Sequence, residues 1–344
     1  MDPDRFNAAM DDAVRFAIRL QETAGIDIVS DGEWRRSQYI NEFLDRIGGF
    51  ECCRPYEHAG EVKHTRVAVR RVEPRESVFR EDAQFLVRNT DRSTKFALPS
   101  PFLIAIRYWH PDWSADAYPT CEHLMEHLAE ILSAEARALA EAGIDVVQLD
   151  DPALTYFCDR ALMAGEHTHD ERLRRHWDAG SQLPGAITAI NHVLDGVLAE
   201  THIHCCHSVY KRRSDVSGDY KPLMPYLENL QADRVNLEFA YNNTGNISDL
   251  RLLPAHLNVG MGVIDVRVET PQTVDEIVRL ASAGAETTGP ARIALNPDCG
   301  FAPDSAEPPS IDEAFEKLRR LAEAASVLRE RYGSPLNHEG VLPS

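Results

Sequence analysis

The chain has 344 residues, of which 43% are hydrophobic, and a formal net charge of −19. That length suits two domains or one large α/β barrel, and the apolar share is ample for a folded core. So acidic a surface repels phosphate backbones and anionic membranes, which argues against nucleic acid and membranes as partners.

No apolar run nears the roughly 20 residues that span a bilayer. The start, Met1-Asp2-Pro3-Asp4-Arg5, lacks the basic and apolar regions of a signal peptide, so a cytoplasmic location is expected. Cysteines stand at 52, 53, 121, 158, 205, 206 and 299. Their odd number and two adjacent pairs argue against a disulfide framework. Cys52, Cys53, Cys121 and Cys158 read as structural thiols.

Periodicity predicts a helix over 5–24, where Phe6, Met10, Val14, Ala17 and Ile18 recur at helical spacing. Gly25 ends it. A short strand over 26–30 leads to Asp31-Gly32-Glu33, and a helix is expected over 37–47. Residues 50–89 break the pattern: Val67-Ala68-Val69 and Phe85-Leu86-Val87 are interrupted by charges and read as an inserted hairpin. A strand over 95–98 closes at Pro99-Ser100-Pro101. A long helix is expected over 115–142, stopped by Gly143. The apolar strand 144–149 ends at Asp150-Asp151-Pro152. Helical segments follow over 154–164, 169–178 and 185–199, with Pro184 separating the last two. Then come a strand over 201–207, a helix over 221–230, and a strand over 234–237 with Glu238 at its exit. A glycine-interrupted strand over 257–264 ends at Asp265. A helix over 273–283 is stopped by Gly284. The strand 292–295 exits through Asn296-Pro297-Asp298-Cys299-Gly300, a helix covers 311–331, and a loose tail occupies 334–344.

Strands alternate with helices throughout, and no GxGxxG follows an early strand, so a dinucleotide fold has no support. The expected architecture is a (β/α)8 TIM barrel in one domain over residues 1–333, with an excursion near 50–90. Only seven core strands are counted, near 26, 95, 145, 202, 235, 259 and 293. An open barrel edge implies cover by a second copy or a partner subunit, because unpaired strand edges are unfavourable.

Polar residues gather at the strand exits: Glu33, Asp150 with Asp151, His204 with Cys206, Glu238, Asp265, and Asp298 with Cys299. In a barrel these share the C-terminal face, where active sites are built. Any one Asp is explained as well by helix capping. The stretch Thr201-His202-Ile203-His204-Cys205-Cys206-His207 carries three histidines and two cysteines, a density that points to a metal. On a strand His204 and Cys206 share one face, and Cys205 and His207 the other. The first pair is favoured, because alternation places Ile203 and Cys205 together on the apolar side. Glu238 and Cys299 complete an N, S, O, S set that selects Zn2+ over magnesium or calcium. A zinc with two thiolates suits activation of a substrate thiol better than activation of water.

Asp31-Gly32-Glu33 with Arg35-Arg36, Gln148-Leu149-Asp150-Asp151-Pro152-Ala153-Leu154, His204-Cys205-Cys206, Glu238, Gly260 to Asp265, and Asn296 to Phe301 occur in this order. From about residue 6 to 331 the chain resembles the catalytic C-terminal barrel of cobalamin-independent methionine synthase and its short single-domain relatives. The resemblance implies zinc on His204, Cys206, Glu238 and Cys299. It implies Glu33 and Asp150 on the amino group of an amino-acid substrate, with Asp151 beside them, and supporting roles at the site for Asp265 and Asp298. The implied reaction is methyl transfer to a zinc-bound thiolate, homocysteine being the usual acceptor, from a methyl-folate or a corrinoid protein.

Three departures stand out. No counterpart is read for the family's first strand, whose Gly-Ser segment binds the substrate carboxylate. Asp151 stands where the family usually has Glu. His207-Ser208-Val209 follow the H-x-C, where x-Gly-Asn is common. The full-length enzyme's N-terminal barrel has no counterpart either. Two other readings share these residues: a zinc transferase for another thiol, similar to epoxyalkane:coenzyme M transferase, and a catalytically inactive binding or assembly subunit. Trp109 and Trp113 are expected to pack rather than to stack on a pterin.

Overall fold

The computed structural model describes residues 3–333, apart from 59, 74–75, 167–169, 243 and 302–307. The expected tail, 334–344, lies outside the described residues. Among the described residues there are nine strands: β1 (Ile28–Val29), β2 (Phe50–His58), β3 (Glu61–Ala68), β4 (Ser93–Pro99), β5 (Val146–Asp150), β6 (Glu200–Cys205), β7 (Arg234–Glu238), β8 (Asn258–Ile264) and β9 (Ile293–Pro297). Seven form one sheet in the order β1-β4-β5-β6-β7-β8-β9, and every neighbouring pair in it is parallel. These are the seven strands expected from sequence. Among the described residues β1 and β9 are not paired to each other, so the curled sheet is an open TIM barrel.

The strands form because β-branched and apolar residues alternate with polar ones. Phe96, Val147, Leu149, Ile203, Val235, Leu237, Val259 and Met261 join the buried core. Polar residues of the opposite face meet inside the curl. Lys95 Nζ donates to Gln148 Oε1 (3.2 Å), and Asn236 Nδ2 donates to the same oxygen (2.9 Å). One layer lower, Arg234 and His202 meet Glu200. At the N-terminal ends of the strands one device occurs twice. Asp145 accepts from the Thr94 N–H (2.7 Å) and hydroxyl (2.9 Å), and Asp233 accepts from the Thr201 N–H (2.8 Å) and hydroxyl (2.7 Å). Each pins neighbouring strands in register at the end away from the site.

Helices cover the apolar side. The helix Pro3–Ala24 buries Val14, Ala17 and Ile18 but leaves Phe6 and Phe16 exposed. The excursion is an antiparallel β2–β3 hairpin. Phe85-Leu86-Val87, expected within it, instead lies in the helix Arg80–Arg88, which buries Ala83 and Leu86. Pro99-Ser100-Pro101 closes β4 and also opens the helix Pro101–Tyr108, with the Ser100 hydroxyl accepting from the Leu103 N–H. Proline at the first helical position gives up an N–H that has no partner there anyway. The long helix begins only at Cys121, capped by Thr120.

Three further expectations are corrected. Pro184 lies inside the helix Ala179–Leu194; near a helix start few bonds remain for it to break. The helices expected over 154–164, 169–178 and 221–230 are short 3-10 or single-turn pieces. Gly284 does not stop its helix, which runs Val274–Thr288 to Gly289. A Cβ on Gly284 would stand 2.2 Å from Met261 Sδ, so this glycine serves helix-on-sheet packing. Trp109 packs against the core and its indole N–H donates to the Tyr118 carbonyl (2.9 Å).

Candidate metal centre and substrate mouth

The strand-exit residues converge at the C-terminal end of the sheet. Cys206 directly follows β6, and Cys299 lies two residues past the end of β9. Those strands are three positions apart in the sheet, or about 14 Å if it lay flat. Curling brings Cys299 Sγ to 3.8 Å from Cys206 Sγ. His204, inside β6, completes the cluster: one donor atom from each of His204, Cys206 and Cys299 lies within 4.8 Å of the others. That is the spacing at which one metal ion touches all three. Cys205 is fully buried behind the strand, as alternation requires.

The electrostatics fit a cation. The neighbouring Cys299 and burial push the Cys206 thiol far above its ordinary pKa, which a dication in contact with both sulfurs reverses. Burial lowers His204, and a Cys206 thiolate would outweigh this and lift it to about 9. Asp150 and Glu238 raise it as well, and a metal ion, which takes the neutral imidazole, displaces that proton.

The expected fourth residue, Glu238, lies outside this cluster. It is fully buried, with Oε2 3.0 Å from His207 Nδ1 and Oε1 accepting from Arg267 Nη2 at 2.8 Å. Burial alone would raise it; the His207 hydrogen bond and Arg267 outweigh that and hold it below the usual carboxylate range. Asp298 is also fully buried and accepts from the N–H groups of Phe239 (3.1 Å), Ala240 (3.1 Å) and Tyr241 (2.9 Å). It thereby fixes the loop after β7 against the loop that carries Cys299. Asp265 accepts from the Arg267 N–H (2.8 Å), and burial raises its pKa. Neither aspartate is exposed.

Glu33 and Asp150 are partly exposed. Asp150 stands opposite His204 in the β5–β6 register, and its Oδ1 accepts from Gln148 Nε2 at 2.7 Å. Glu33 has a left-handed φ of 57°, in a turn where Asp31 Oδ1 accepts from its N–H at 3.0 Å. Such strain gathers at functional sites. Arg36 Nη1 donates to Glu33 Oε1 at 3.1 Å. The enclosing chain pushes the Glu33 carboxyl up to about 7 despite Arg36, and Asp150 and Asp31 add to the shift. Asp151, by contrast, is fully buried, caps the turn Pro152–Cys158 through the Ala153 N–H, and accepts from the Ser100 hydroxyl. Burial lifts it to about 7.

The sequence reading did not single out Arg267, a charge two residues past Asp265 in an otherwise apolar run. It also passed over Lys95, a charge on an inward position of β4. A surface groove of about 1160 Å3, lined by Met10, Arg35 and Glu135 among others, shares no residue with the cluster.

Residues 2–327 match the family model described as the cobalamin-independent synthase catalytic domain. The chain belongs to that family. Membership makes it a methyltransferase-type enzyme. It is 28% identical over 330 residues to the methionine synthase of Pyrococcus abyssi, a match that spans 94% of this chain and 84% of that one. It is 29% identical over 332 residues to the methionine synthase of Thermococcus kodakarensis, again spanning 94% of this chain and 84% of the other. Among solved structures, the B12-independent methionine synthase of Shewanella sp. W3-18-1, in complex with selenomethionine, superposes with a TM-score of 0.79 at 25% identity, covering 96% of this chain and 91% of that one. Among the described residues no helix is long and apolar enough to cross a membrane.

Proposed function

We propose that the chain transfers a methyl group from a methyl-folate to the thiol of homocysteine, at a zinc site built on His204, Cys206 and Cys299. The observation that carries this reading is the 3.8 Å separation of Cys206 and Cys299 Sγ beside His204. Two thiolates about 2.3 Å from a tetrahedral zinc stand about 3.8 Å apart, so the donor set fits the metal without rearrangement. When bound, zinc lowers the pKa of a ligating thiol, which makes the thiolate nucleophile available near neutral pH.

The chain's own residues supply the rest. Glu33 and Asp150 form an acidic pair at the mouth, suited to the ammonium group of an amino acid. Gln148 orients Asp150 from below, and Lys95 and Asn236 hold Gln148. Asp298 fixes the loop bearing Cys299 through three backbone N–H groups, and Asp265 fixes the start of the segment bearing Arg267. Asp151 steadies the turn after β5 rather than touching substrate.

The test is methionine formation from homocysteine by the zinc-loaded protein, with 5-methyltetrahydrofolate carrying one or several glutamates. The proposal expects turnover that falls at least a hundredfold in Cys206→Ser, since the metal is then lost. Alkylation of coenzyme M but not homocysteine would contradict the acceptor. Turnover only with a methylated corrinoid would contradict the donor.

A further inference from the structure

We propose that the chain holds its metal with three side chains, His204, Cys206 and Cys299, and that Glu238 is a positioning residue locked onto Arg267 and His207, leaving the fourth coordination position to the incoming thiol. This rests on the zinc reading above.

Both Glu238 oxygens are already taken, one by Arg267 Nη2 at 2.8 Å and the other by His207 Nδ1 at 3.0 Å. The lock is itself anchored. His207 Nε2 faces the Gly218 carbonyl at 3.0 Å, so the ring cannot turn away without losing a second bond. The Arg267 side chain is 1% exposed. Its guanidinium lies over the Tyr241 ring at 4.5 Å, donates to the Ser208 carbonyl at 3.2 Å and stands 3.7 Å from Asp298 Oδ2. Among the described residues Arg267 Nε and Nη1 have no hydrogen-bond partner, and Glu238 is the guanidinium's principal counter-charge.

Moving Glu238 to the metal would strip a buried cation of that partner, the costliest way to break such a pair. The charge balance points the same way. Two thiolates cancel a zinc dication, and a carboxylate ligand would leave the centre anionic and repel the thiolate it must receive. Paired with Arg267, Glu238 instead leaves that centre neutral. The residues that make the lock include His207 and Ser208, which lie in the segment where this chain departs from the x-Gly-Asn expected after H-x-C.

The experiment measures zinc affinity by chelator competition in the full-length wild type, Cys299→Ser and the double variant Glu238→Gln/Arg267→Gln, which removes both charges together. The double variant is expected to keep one zinc per chain, within about tenfold of wild-type affinity, as befits residues behind the ligands. Cys299→Ser is expected to lose it. The pH profile of methyl transfer to the thiol should shift down in Glu238→Gln, where Arg267 has lost its principal counter-charge, and up in Arg267→Gln. It should return toward wild type in the double variant, a pattern that a packing role alone does not give. Zinc loss in a folded double variant as complete as in Cys299→Ser overturns the inference. Should that variant not fold, a crystal structure of the zinc-loaded wild type decides. Glu238 still on Arg267 supports the inference, and a Glu238 oxygen about 2.2 Å or less from the metal overturns it. A wild type that binds no zinc overturns the metal reading itself.

Discussion

Glu33 combines a strained backbone, a φ of 57°, with a carboxyl pushed up to about 7. Below that pH it is largely protonated; above it, it is ionised and attracts an ammonium group. Methionine, which lacks a titrating thiol, should therefore bind about tenfold more tightly at pH 8 than at pH 6, and Glu33→Gln should flatten the dependence. Calorimetric titration across that range checks it, and an unchanged slope in the variant would remove Glu33 from the amino-group site. Ser208 gives a stability counterpart. Its φ of 58° lies in the left-handed region, at the position where relatives with x-Gly-Asn carry glycine. Relief of that strain outweighs the added freedom of the unfolded chain, so Ser208→Gly should stabilise by about 0.5–1 kcal/mol, read from urea midpoints. A loss of stability would show that the serine hydroxyl matters more than the backbone.

At the scale of elements, β8 decides how close its neighbours come. A Cβ on Gly260 would stand 1.9 Å from Asn236 Oδ1, and one on Gly262 would stand 2.4 Å from Asp298 Oδ1 and 2.9 Å from the Leu237 carbonyl. The glycines thus let β7 and β9 side chains meet across β8, which is why a strand with two glycines sits in the middle of the site. Gly262→Ala should cost about 1–3 kcal/mol and displace Asp298, and through it the Cys299 loop. Loss of zinc affinity together with thermal stability is the expected reading; an alanine accepted without either change would contradict it.

The same scale shows what the sequence disclosed. The seven strands were legible because each is an apolar run closed by a polar exit. His204, Cys206 and Cys299 stood out because soft ligands are rare in such positions. The helix Arg80–Arg88 was hidden because charges at Arg80, Glu81, Asp82 and Arg88 mask a short apolar face. The surroundings of Glu238 were hidden for another reason: Arg267 lies 29 residues away and meets it only when β7 and β8 pair. A motif names a residue's type and order, but not which partner a folded sheet will bring to it.

At the scale of the molecule, the seven-stranded sheet leaves β1 and β9 as its edges among the described residues. Every residue of β9 is partly exposed, whereas β7 and β8 are buried along almost their whole length. Amides of β9 and β1 should accordingly exchange with solvent well before those of β5 to β7 in native-state hydrogen exchange. Equal protection would mean that the edges are covered in solution, as a second copy or a partner would cover them. Cys299 hangs from this exposed edge and Cys206 from the protected centre, so a bound metal would tie the weakest strand to the strongest.

That makes metal analysis of the purified full-length protein the most direct test of the account. It predicts one zinc per chain in the wild type, absent from Cys206→Ser at unchanged fold. A folded wild type that contains no zinc and takes none up would contradict it.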